Sequence, residues 1–117
     1  MLFALMVEFS GGPPPPKLLE EHVAWLVPRF EEGSFLLSGG LDAIDERQAS
    51  ALALFTALSL EDARRLVADE PLYNAGVVTH RVIPFALRVR TTKLDTRFGD
   101  DLRVVPVAPT GQSDVPQ

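Results

Sequence analysis

The sequence predicts an α+β fold of the ferredoxin-like kind: a split β-α-β-β-α-β unit with an antiparallel four-stranded sheet and two helices on one face. Three observations carry that reading. The chain has 117 residues, enough for one core and little more. Its apolar spacing changes between strand and helix periods in the order strand, helix, strand, strand, helix, strand. Glycine and proline clusters punctuate those changes.

Residues 2–9 are mostly apolar, as in a strand covered on both faces, and end at Ser10-Gly11-Gly12. The prolines at 13–16 form a stiff, extended run inside which a helix rarely begins, because each residue before a proline avoids the α region. From Lys17 the pattern is helical: Leu19, His22 or Val23, Leu26 and Phe30 recur at three- and four-residue spacing, and Gly33 is a natural stop. Pro28 removes a hydrogen bond within this helix, so a bend is expected near Trp25.

Residues 34–38 read as the second strand and 51–57 as the third, with an acidic loop between them. Ser59-Leu60-Glu61-Asp62 is a capping signal for a second helix, whose buried stripe is Leu60, Ala63, Leu66 and Val67 and which Pro71 stops. Gly76 permits a turn, and residues 77–85 supply the fourth strand, ended or confined to an edge by Pro84. The domain is drawn at 1–87, with 88–117 as a C-terminal extension. Within the tail, 86–92 are expected to prolong the fourth strand, 102–107 to form a short edge strand or exchanged arm, and 108–117 to be disordered.

Composition bounds the function. The net charge of −5 opposes nucleic-acid binding, which needs a basic face. Residues 1–87 carry six Lys/Arg against twelve Asp/Glu and 88–117 five against four, so a slightly basic tail follows an acidic body. No apolar run approaches the roughly 20 residues of a membrane helix, and residues 2–7 lack the basic flank of a secretory signal. With no cysteine there is no thiol nucleophile or disulfide, which fits a cytoplasmic location. The chain shows no Gly-x-Gly-x-x-Gly or P-loop, and its two histidines fall in different elements without metal-ligand spacing, so neither cofactor nor metal is expected. Helices on one face leave an apolar second face, which a homodimer through the sheets would cover; the alternative cover is the tail.

The candidate chemistry centres on His22, on the inward side of the first helix. Imidazole changes charge near neutral pH and so suits proton transfer. Ser38, Gly39 and Gly40 end a glycine-marked strand that looks built to frame His22. The plain alternatives are a structural histidine and a strand-ending turn. Asp69-Glu70-Pro71 reads either as a helix end or as the source of an acid for His22. The proline run, just before the His22 helix, is a candidate rim of the pocket, and His80 reads as a strand residue at a dimer or tail contact.

These pieces together carry a resemblance. A helix histidine (His22), Phe30-x-x-Gly33, Leu36-Leu37-x-x-Gly40, Ser59-Leu60-Glu61-x-Ala63, and Glu70-Pro71 followed by Ala75-Gly76-Val77 resemble the YCII-related (YciI-like) family over about residues 2–85. The resemblance implies a dimeric α/β barrel and a site built on the helix histidine and an acid. His22 matches the first; where the family usually has Asp before Pro this chain has Glu70, with Asp69 one residue earlier. It implies His22 as general acid or base, Asp69 or Glu70 as its partner, Ser38 with the backbone N–H groups of Gly39 and Gly40 as holders of a substrate oxygen, and a cofactor-independent lyase or isomerase acting on a small aromatic or enolisable carbonyl compound. The alternative is a dimeric small-molecule-binding or structural module without turnover.

Overall fold

The computed structural model describes residues 1–41 and 50–94. The elements are β1 (Leu2–Phe9), α1 (Pro16–Glu31), β2 (Phe35–Leu41), β3 (Ser50–Thr56), α2 (Leu60–Val67), α3 (Pro71–Asn74) and β4 (Val78–Phe85). The strands form one sheet in the order β2-β3-β1-β4, with every neighbouring pair antiparallel. This is the expected split β-α-β-β-α-β arrangement, with one short helix, α3, added.

Strand parity builds the core. Phe3 and Leu5 of β1, opposite Phe55 and Ala53 of β3, point to the face covered by helices and pack with Phe35, Ala63 and Val67. Trp25, Leu26 and Phe30 of α1 and Leu60 and Leu66 of α2 close over them. Phe35 and Phe55 stack at 5.0 Å, and Trp25 meets Phe35 edge-on at 5.7 Å. The other face carries Leu2, Ala4, Met6, Leu52, Leu54, Ile83 and Phe85, in register across three strands. Among the described residues no helix covers it, and Ile83 and Phe85 are exposed.

Several element ends differ from the sequence reading. The last proline of the run, Pro16, opens α1 at its first turn, where its missing N–H is no loss. The helix continues through Pro28 to Glu31, and Arg29 donates to the Trp25 carbonyl at 2.8 Å near the break in the ladder. Pro71 does more than stop α2: it starts α3. Both α1 and α3 end in a left-handed glycine with the paired bonds of a Schellman motif. Gly33 has φ 85° with Ser34 N–H on Arg29 O, and Gly76 has φ 77° with Val77 N–H on Leu72 O.

Residues 86–92 do not prolong β4. Phe85 already lies opposite Leu2, the first residue of β1, so further residues have no strand to pair with. The expectations for 102–107 and 108–117, and the acidic loop at 42–49, fall outside the described residues. Among the described residues no helix is long and apolar enough to cross a membrane.

Candidate active site

Glu70 organises the site. It is the N-cap of α3, with extended backbone and a carboxylate that accepts from the N–H groups of Leu72 at 2.8 Å and Tyr73 at 3.1 Å. Pro71 at the first helical position holds that turn. The same carboxylate reaches across to α1, where Glu70 Oε2 lies 2.8 Å from His22 Nδ1. Its side chain is only 3% exposed, whereas that of His22 is 27% exposed. Burial alone would raise the Glu70 pKa, but the hydrogen bonds from His22 and Leu72 N–H, the nearby His80 ring and the His22 charge outweigh it and lower the value from 4.5 to about 2.

An ionised carboxylate only accepts hydrogen bonds. His22 Nδ1 therefore carries the hydrogen and donates it to Glu70, which leaves Nε2 as the nitrogen free to take a proton. Asp69, the competing acid, does not meet His22: it accepts from Trp25 Nε1 at 3.2 Å on the exposed side of α1. The reason is local. Capping α3 turns Glu70 inward and leaves its neighbour facing outward.

A cavity of about 210 Å3 opens beside the pair, between the helix-facing side of the sheet and α1. Its walls are mainly apolar, including Leu5, Val7, Phe9, Trp25, Leu26 and Phe35; His22, Glu70 and Ser38 bring polar side chains to it, and the ring of His80, its nitrogens buried, completes the lining. An apolar cavity of about 150 Å3 accommodates benzene, so this one has room for a single ring with a few substituents.

Ser38, Gly39 and Gly40 also line the cavity. They are part of β2 and not a strand-ending turn, since Ser38, Gly39 and Gly40 lie opposite Ala53, Leu52 and Ala51. Simple alternation from Phe35 would send Ser38 to the outer face. A bulge between Phe35 and Leu37 resets the phase and places Ser38 opposite Ala53 on the cavity side. Neither glycine has positive φ, and an added Cβ would meet nothing closer than 3.9 Å, so their contribution here is clearance. The prolines at 13–16 are absent from the lining, so they form no rim.

His80 belongs to the site, contrary to its reading as a dimer or tail contact. It lies opposite Val7, on the helix-facing side of β4, with its side chain 6% exposed and Nε2 3.4 Å from Glu70 Oε1. The signal was present in the sequence: Val78 and Val82, two residues to either side, mark the same face as apolar.

Fold and site together define a ferredoxin-like domain with a half-buried imidazole on a buried carboxylate at the wall of a small apolar cavity. The YCII-related domain profile matches residues 1–86, and the chain belongs to that family. Among solved structures it is similar to 5-chloro-2-hydroxyhydroquinone dehydrochlorinase (TftG) from Burkholderia phenoliruptrix AC1100, in complex with 2,5-dihydroxybenzoquinone. Identity there is 20%, over 75% of this chain and 96% of that one, with a TM-score of 0.54. It is also similar to SnoaB, a cofactor-independent oxygenase from Streptomyces nogalater, at 19% identity over 78% of this chain and 97% of that one, TM-score 0.47. No curated protein matches the chain significantly.

Proposed function

We propose that this protein is a cofactor-independent enzyme that moves a proton on a small aromatic or enolisable carbonyl compound, by lyase or isomerase chemistry. The observation that carries the reading is the 2.8 Å His22–Glu70 contact at the wall of a mainly apolar, ring-sized cavity. Glu70 is fixed by two backbone N–H groups, so it can hold the imidazole in one tautomer and stabilise its cationic form without reorganising.

In this scheme a planar substrate lies against Trp25, Phe35 and the open surface of Gly39 and Gly40. His22 Nε2 takes a proton from an acidic carbon or hydroxyl, and charge appears on a conjugated oxygen of the substrate. Ser38 donates to that oxygen. The imidazolium, neutralised by Glu70, then returns its proton to another substrate atom or to a leaving group. Asp69 has no step in this scheme. The pair itself supplies the acid–base chemistry, so no cofactor or metal is called on.

The apolar outer face of the sheet is the proposed homodimer interface, giving a dimeric α/β barrel, with residues 88–117 as an extension beyond the domain. Absence of cysteine is consistent with a cytoplasmic setting.

The quinone ring in the TftG complex guides the choice of probes. Hydroxylated quinones and small ring ketones incubated with the protein in D2O should show catalysed hydrogen exchange by NMR. His22→Ala should lower the exchange rate by about 10²- to 10⁴-fold, the usual contribution of a general acid or base. Probes that bind without exchange would instead identify a non-catalytic binding module.

A further inference from the structure

One carboxylate faces two imidazoles. Glu70 Oε2 holds His22 Nδ1 at 2.8 Å, and Glu70 Oε1 lies 3.4 Å from His80 Nε2, an ion-pair distance without hydrogen-bond geometry. The histidines come from different elements, α1 and β4, and meet different oxygens of the Glu70 carboxylate. His80 is fixed in place: Tyr73 stacks on its ring at 4.6 Å and 16°, and its side chain is 94% buried, the complement of its 6% exposure.

Both ring nitrogens of His80 are sealed from solvent and have no hydrogen-bond partner among the described residues. A buried polar group left in that state ordinarily lowers stability, and a phenylalanine would fill the same slot against Tyr73 without that cost. The choice of histidine therefore points to a use of its charge. Position supplies that use. A cationic His80 would face the Glu70 carboxylate and the Tyr73 ring, both of which favour positive charge.

We propose that His80 is a positioning residue of the site, coupled to His22 through the shared Glu70 carboxylate, so that the two imidazoles compete for one negative charge. Glu70 then compensates one imidazolium at a time. A proton on either ring weakens Glu70's hold on a proton at the other, and the two rings titrate as a linked pair. His80 reaches the chemistry only through Glu70, because its own nitrogens are closed off from the cavity.

The other ionisable groups nearby are accounted for. Asp69 is engaged by Trp25 on the outer side of α1, Arg65 of α2 by Glu61 and Asp62, and Val7, opposite His80 on β1, is apolar. Arg81 is next to His80 on β4, where strand alternation sends it to the opposite face. Tyr73 presents its ring to His80.

This inference rests on the proton-transfer reading for its purpose, yet its test needs no substrate. The ring resonances of His22 are followed by NMR against pH in the full chain, in His80→Gln, which removes the charge, and in His80→Phe, which keeps only the packing. Coupling gives a wild-type His22 curve with two steps separated by about one pH unit or more, or tenfold in proton affinity. Both variants should collapse it to one step.

A single-step wild-type curve overturns the proposal even if neither variant folds, as does a curve the variants leave unchanged. Linked titration without hydrogen exchange on any ring probe would uphold the coupling while sinking the enzymatic reading. Exchange with an uncoupled His22 would do the reverse.

Discussion

At the scale of single residues, Glu70 does two jobs with one carboxylate: it caps α3 and holds His22. Its lowered pKa has a thermodynamic consequence. Between pH 4.5 and about 2 the unfolded chain binds a proton at this position that the folded chain refuses, so stability rises with pH across that window. The lowering corresponds to up to about 3 kcal/mol, fully present above 4.5 and lost as pH falls through about 2. Urea titrations at a series of acidic pH values should show this decline in the wild type and a flatter one in Glu70→Gln. Equal slopes would mean that Glu70 titrates alike in both states.

Residue identity was partly legible from sequence. The inward stripe of α1 marks His22, and the sequence offers an acid before Pro71 as its partner. The choice between Asp69 and Glu70 depended on the cap. A carboxylate that accepts two N–H bonds from α3 must turn inward, and no spacing rule reveals a four-residue helix starting at Pro71. For His80 the parity of Val78 and Val82 points to the buried side, against a dimer or tail contact.

At the scale of elements, the strand and helix order was readable because each segment combines a period with a glycine or proline boundary. What could not be read was phase. The bulge between Phe35 and Leu37 leaves no mark on the hydrophobic pattern, yet it brings Ser38 to the cavity. The glycines of these elements also differ in kind. Gly76, at φ 77°, closes the Schellman motif that ends α3, whereas Gly39 has ordinary backbone and free space around it. Gly76→Ala is therefore expected to lower stability by about 1 kcal/mol or more, and Gly39→Ala to leave it nearly unchanged. Thermal melts of the two variants compare them directly. Equal losses would show that β2 depends on its glycines as much as α3 does.

At the scale of the whole molecule, the helices and the core among the described residues account for one face of the sheet only. Burying a large apolar side chain contributes roughly 1.5 to 3 kcal/mol, and the uncovered face presents several in register, from Leu2 and Leu54 to Ile83 and Phe85. Sedimentation at micromolar concentration should give twice the chain mass, and Ile83→Lys should return it to the monomer. A wild-type monomer would mean that this face is covered within the chain or left open.

The central claim is that His22 and Glu70 work as one proton-transfer unit. It is tested most directly by a double-mutant cycle on probe hydrogen exchange in D2O, comparing the wild type, His22→Ala, Glu70→Gln and the double variant. Residues that act as a unit are strongly non-additive. The double variant should exchange no more slowly than His22→Ala alone. Losses that multiply, or a His22→Ala variant that exchanges at the wild-type rate, would contradict it.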